Sequence, residues 1–328
     1  MAKEKRIFKE DFDVGEAISV PWSLPGGKNF LLRLVLCGTA LILGVYAVFG
    51  RHFIESYAQL IKSSLLLQNS SSPGDKEEAM ALLAQTGGFL SQMLLVLIFI
   101  LLVMAALETA LHKNGFHGRD EGAFPLRFAK DELRVLIAKL IVSVSVFGVY
   151  ILGVMALSIF ITILAVAGSS AGGLVALLAV LMFAGVIGFV AVLIRCAISW
   201  APAAAMSVRD GRQYFYSGWA IVQGRSWPLF GSYLVVFLIG YIASYIVMII
   251  GGYIAFGNVD FLTMMMANPD EIDAVFSQMG EAIKQPRVFV PLVIFTIIHT
   301  ACIVLWYLHI YGVGHYVARL DAKENGRL

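Results

Sequence analysis

Six long apolar stretches divide this chain, and each is long enough to cross a lipid bilayer. They run approximately from Phe30 to Gly50, Gly87 to Leu111, Val135 to Ala167, Gly172 to Ala197, Pro228 to Phe256 and Phe289 to Val317. Because a helix rises about 1.5 Å per residue, about 20 apolar residues span the hydrocarbon core. A bilayer offers the backbone no hydrogen-bonding partners, so such stretches must form helices. The pattern therefore predicts an all-α, polytopic membrane protein with a bundle of six transmembrane helices.

Composition favours the same class of protein. Apolar residues make up 59% of the 328 residues and charged residues 14%, whereas soluble domains have about 25% charged residues. We predict an N-terminal segment at 1–29, the six-helix transmembrane domain at 30–318 and a tail at 319–328. The cysteines Cys37, Cys196 and Cys302 lie in or beside apolar stretches, where they serve as small packing residues.

The distribution of basic residues predicts the orientation of the bundle. Short loops on the cytoplasmic side of a membrane accumulate Lys and Arg. If the N-terminus lies inside, all but five of the 24 basic residues fall on inner segments. The five on outer segments are Arg51, Lys62, Lys76, Lys284 and Arg287. We therefore expect both termini to face the cytoplasm.

Two of the outer connections have the pattern of amphipathic helices. Their apolar residues recur at helical spacing, with Phe53, Tyr57, Leu60, Ile61 and Leu65 in the first and Ile272, Val275, Phe276, Met279 and Ile283 in the last. Such helices lie in the headgroup plane or pack on each other as a cap. We expect them either to shield the bundle or to dock a second copy or another membrane protein.

The segment between the fourth and fifth spans carries a recognisable pattern. Arg195 ends one span, a Pro-Ala-Ala unit follows at 202–204, and Ser217, Gly224 and Trp227 lead into the next span. Over residues 195–231 the chain resembles six-helix bacterial membrane proteins that include the YciC-like family and the membrane domain of some glycerophosphoryl diester phosphodiesterases. The resemblance implies a module of the bacterial cytoplasmic (inner) membrane with a role in lipid or envelope homeostasis. No phosphodiesterase domain is recognised, so no catalytic residue carries over.

The same segment is rich in side chains that suit lipid headgroups. Guanidinium groups bind phosphate bidentately, indoles favour the headgroup zone, and basic pockets on this side of a membrane bind anionic lipids. The candidate headgroup residues are Arg195, Arg209, Arg212, Arg225, Trp219 and Trp227. The alternative interpretation is an ordinary positive-inside loop with an aromatic belt.

Few ionisable residues fall within the spans, where they are costly and usually functional. Glu108 and Arg195 lie near the inner ends of their spans, and we predict that they pair across neighbouring helices. Lys139 lies about a turn inside its span, so it is expected to snorkel to the headgroups. No span has a charge at its centre, which counts against an ion-coupled pump.

The histidines raise the question of a cofactor. His299, His309 and His315 lie on the sixth span and would need His52 or His112 as a second haem ligand. Each is more simply a hydrogen-bonded interfacial histidine. We therefore predict no cofactor, no metal and, for want of a catalytic constellation, no enzyme.

The function predicted from sequence is that of a non-enzymatic membrane protein. It would serve lipid or envelope homeostasis, or act as the scaffold of a membrane complex. The alternative is a transporter or channel for a small or lipidic substrate. The expected partners are membrane lipids, anionic lipids among them, and a second copy or another membrane protein. Nucleic acid is not an expected partner.

Overall fold

The structure, a computed structural model, describes residues 12–69, 77, 80–81, 87–119, 126, 129–169, 175–256, 281 and 284–326. The secondary-structure elements in these ranges are α-helices. The elements are α1 (Val14–Ser23), α2 (Gly27–Asn69), α3 (Gly87–His117), α4 (Lys130–Ser169), α5 (Val175–Trp200), α6 (Ala203–Asp210), α7 (Gly218–Val222), α8 (Ser226–Phe256) and α9 (Pro286–Glu324).

The prediction of six membrane-spanning helices is confirmed. Helices α2, α3, α4, α5, α8 and α9 are each long and apolar enough to cross a membrane. Several continue well past their apolar stretch. Helix α9 has 39 residues, so it is about 58 Å long, nearly twice the thickness of the hydrocarbon core.

Burial is concentrated at one end of the bundle, which we call the base. It consists of the short helices α1, α6 and α7 and the adjoining ends of the long helices. Residues 103–114 of α3 and 311–318 of α9 are buried there. Towards the other end, α4 and α5 expose most of their apolar side chains. Hydrocarbon is as good a solvent for apolar side chains as a protein core, so spans facing lipid need no burial, whereas helices extending into water do.

Helix α1 belongs to the base and lies within the segment that the sequence placed before the first span. The side chain of Asp13 caps it by accepting a hydrogen bond from the backbone N–H of Glu16 at 3.0 Å. Tyr316 of α9 donates to the Glu16 carboxylate at 3.2 Å, and Trp22 donates to His309 at 3.0 Å. Both ends of the described chain therefore meet at the base.

Five of the long helices form a closed ring. Helix α9 packs on α8 and α3, α3 packs on α4, α4 packs on α5, and α5 packs on α8. Helix α2 packs on α3 and α9. Small residues allow close approach within this ring: a methyl group added at Gly240 of α8 would overlap the Trp306 ring of α9.

The two predicted amphipathic outer helices are only partly visible. The first forms the continuation of α2, which ends at Asn69. The apolar faces predicted for both helices lie outside the residues whose side chains the structure describes.

Candidate functional site

A cavity of about 260 Å³ lies inside the helix ring at the base. Residues from α3, α4, α8 and α9 and from the junction of α5 with α6 line it, and those with polar or aromatic side chains include Glu108, Lys139, Ser143, Trp200, Tyr233 and Tyr311. Pockets for drug-sized ligands usually measure about 300–1,000 Å³. This space is slightly smaller, and we call it the base cavity.

Among the described residues that line the cavity, Glu108 and Lys139 form an ion pair. The Lys139 ammonium of α4 lies 2.7 Å from Oε2 of Glu108 on α3, and these side chains are 21% and 5% exposed. The same ammonium lies 3.9 Å from the centroid of the Tyr311 ring on α9. A charge removed from water is tolerated only with a close partner, so this contact ties three helices of the ring together.

Beyond Glu108 a buried polar core extends into the base. His112 lies one turn along α3, with its Nε2 3.4 Å from Oε1 of Glu108. Its ring stacks on that of His315 of α9, with centroids 5.5 Å apart and planes 15° apart. Lys113, the residue after His112 on α3, has its ammonium 2.8 Å from Glu132 of α4. The cavity therefore borders the most polar part of the interior.

The cavity lies just inside the ends of the predicted spans. Lys139 and Tyr233 are each about one turn from those ends, which is about 6–8 Å along the helix axis. If the spans end at the membrane surface, this depth is close to the boundary between headgroups and acyl chains. Apolar residues that continue outward along α4 and α8 are exposed, with Val144 66% and Phe237 50% accessible. A lipid with its headgroup in the cavity would find apolar surface for its chains.

Two of the arginines predicted to bind headgroups are used within the base instead. Arg209 lies 2.8 Å from Asp210 and 3.1 Å from Asp321 of α9, and its side chain is 5% exposed. Arg225 forms an ion pair with Glu324 and is equally buried. The carboxylates at the end of α9 account for this, because they neutralise the two guanidinium groups and fix α6 and the turn before α8.

The other members of the predicted set lie at the surface. The Arg195 guanidinium lies 5.3 Å from the centroid of the Trp219 ring. Arg212 is exposed, and Trp227 is 82% exposed. The six residues therefore do not form one positive pocket.

The structure does not bring Glu108 and Arg195 together. Glu108 pairs with Lys139, the residue expected to snorkel, and Arg195 lies over Trp219. The reason is the order of helices in the ring: α4 packs on both α3 and α5, so the cation of α4 reaches the carboxylate of α3.

Two of the three histidines of the sixth span, His299 and His309, make hydrogen bonds within the protein. His299 lies 2.7 Å from the Ser244 hydroxyl of α8. His309 accepts from Trp22, and its Nδ1 lies 2.8 Å from the Leu305 carbonyl oxygen. The side chain of His52 lies outside the described residues. Among those described, no three His, Cys, Asp or Glu side chains lie close enough to hold a metal ion.

The fold defines a multi-pass membrane protein, since six of its helices have the length and apolarity that a bilayer requires. Comparison of the chain with family models, curated proteins and solved structures gave no match.

Proposed function

We propose that this chain is a non-enzymatic, multi-pass protein of a bacterial inner membrane. It serves lipid or envelope homeostasis by holding a phospholipid at the base cavity. The resemblance of residues 195–231 to the YciC-like family and to phosphodiesterase membrane domains supports the bacterial setting. The excess of Lys and Arg on the segments of the base supports a cytoplasmic location for both termini.

The base cavity is the observation that carries this proposal. It combines an ammonium group and aromatic side chains at headgroup depth with exposed apolar helix surfaces farther out. Cavities of this kind, mainly apolar with a few convergent polar groups, are the usual form of a ligand site. Its small volume suits a headgroup and leaves the acyl chains to the lipid-facing surface of α4 and α8.

Closing the mouth of the cavity tests the proposal. Ser143 is exposed and lines the cavity, so Ser143→Phe fills it without disturbing a buried contact. The matched control is Ser158→Phe on the same helix, at an exposed position outside the cavity. After purification in mild detergent, mass spectrometry should find several-fold less phospholipid on Ser143→Phe than on wild type or on the control. Equal phospholipid on all three proteins would contradict a lipid site here.

A transporter or channel is the second candidate. The polar lining of the cavity, contributed by helices from different parts of the ring, favours it. A transported substrate must also reach the opposite end of the bundle. Proteoliposomes containing the protein should then take up a small or lipidic substrate. Uptake that Ser143→Phe abolishes and Ser158→Phe retains would support transport over the binding of a lipid alone.

A further inference from the structure

We propose that the base cavity selects a phospholipid whose headgroup carries a primary ammonium beside its phosphate, as ethanolamine phospholipids do, over anionic and choline phospholipids. This inference rests on the proposed function and specifies its ligand. It differs from the anionic lipid that the basic sequence pattern suggested.

The charge of the cavity is the first argument. Glu108 and Lys139 are its only charged lining residues in the described chain, so its net formal charge is zero. Elsewhere in the base, the cations Arg209 and Arg225 are paired with Asp321 and Glu324. An anionic headgroup would therefore place an uncompensated negative charge beside Glu108 in a region of low dielectric, where repulsion is strong. A headgroup with no net charge avoids this cost.

The environment of Lys139 is the second argument, because it shows what a primary ammonium meets in this cavity. The group contacts a carboxylate oxygen at 2.7 Å and the face of Tyr311 at 3.9 Å. A carboxylate offers about four lone-pair sites. Lys139 and His112 each contact one oxygen of Glu108, so sites remain for a lipid ammonium. The rings of Trp200 and Tyr233 line the cavity too. Aromatic faces attract primary and quaternary ammonium groups alike, so the choice between ethanolamine and choline falls to Glu108.

The phosphate has hydrogen-bond donors in the same cavity. An ammonium carries three N–H donors, and the contact of Lys139 with Glu108 leaves others for a phosphate oxygen. Tyr233 also lines the cavity, and its hydroxyl can donate as well. A choline headgroup would satisfy this phosphate site, but its quaternary nitrogen has no N–H for Glu108. The cavity should therefore prefer ethanolamine over choline.

The wild-type protein alone provides the main test. Reconstituted in an equimolar mixture of ethanolamine, choline and phosphatidylglycerol lipids, it should retain ethanolamine phospholipid about tenfold above the other two, the effect of one charge-assisted hydrogen bond. Along the series of mono-, di- and trimethylated ethanolamine lipids, retention should fall at each loss of an N–H. Native mass spectrometry of the purified protein measures both.

Two variants that each replace a buried Glu with Gln test whether the preference arises at the cavity. Glu108→Gln replaces the charged acceptor with a neutral amide oxygen, so most of the preference for ethanolamine over choline should be lost. Glu132→Gln makes the same change at a buried pair outside the cavity and should keep it. Suppose that wild type binds lipid, that Ser143→Phe excludes it, and that the bound lipid has the composition of the bulk mixture or an excess of anionic lipid. The headgroup inference is then overturned, and the lipid site stands. If wild type retains no lipid, the proposed function itself fails.

Discussion

The contact between Glu108 and Lys139 shows how a single residue can decide the arrangement of several helices. A carboxylate with 5% of its side chain exposed is stable only because the ammonium of α4 lies beside it. Since Tyr311 of α9 contacts the same ammonium, the pair stabilises the position of three helices. Loss of either partner should therefore lower the stability of the whole base.

Lys139→Met should destabilise the protein strongly, because it leaves Glu108 buried without its cation. Breaking a buried pair costs about 3–5 kcal/mol, and the partial exposure of Lys139 places the effect at the lower end. The double variant with Glu108→Gln should recover much of the loss. Thermal unfolding in detergent of both single variants and the double variant measures this coupling.

The exposed pair of Glu281 and Lys284 is the control, since its side chains are 69% and 72% exposed. Exposed pairs contribute little, so Lys284→Met should leave the unfolding midpoint nearly unchanged. Strictly additive effects of the Glu108 and Lys139 substitutions would mean that these side chains do not interact.

Sequence reasoning singled out both residues of this pair but did not join them. Glu108 is conspicuous because a carboxylate in an apolar stretch is rare, but its partner depends on which helices are neighbours, and periodicity along one helix does not contain that information. Tyr233, Tyr311 and Trp200 were missed as cavity residues for a related reason. In the sequence they have the pattern of an interfacial aromatic belt, and only the ring of helices brings them to one place.

At the scale of the elements, length and apolarity were sufficient for the six long helices. Helix α1 was missed because it is short and contains Pro21. A signal was present: Asp13 is followed three residues later by Glu16, the spacing typical of a helix N-terminus. The packing of α1 on α9 could not be predicted, since its contacts join residues about 300 positions apart.

Two glycines test how closely the elements pack. Gly218 at the start of α7 lies against the carbonyl oxygen of Ser199, and an added methyl group would overlap this backbone atom. Because a backbone atom cannot rotate away, Gly218→Ala should lower stability by about 1–3 kcal/mol. Gly188 of α5 has no heavy atom within 4 Å of an added Cβ, so Gly188→Ala should be neutral or stabilising by up to about 1 kcal/mol.

Thermal midpoints of the two alanine variants against wild type measure these effects. The described approach of α7 to the end of α5 would be wrong if Gly218→Ala were as stable as Gly188→Ala.

For the whole molecule, the contrast between a buried base and exposed spans is the dominant feature. The base is packed like a water-soluble protein, with residues such as Leu34, Leu107, Leu308 and Val317 fully buried. The spans beyond it, above all α4 and α5, present apolar side chains outward. A single solvent does not suit both parts. The chain therefore fits a boundary between water and lipid, with the base cavity at the level of that boundary.

The most direct test of this account asks whether α9 crosses the membrane with its base end in the cytoplasm. Gln285 and Asn325 flank α9 and are both exposed. Each is replaced by cysteine in a background without Cys37, Cys196 and Cys302, and treated with a membrane-impermeant maleimide. We predict labelling at 285 only in intact spheroplasts and at 325 only in inverted vesicles. Labelling of both positions from the same side would contradict the account.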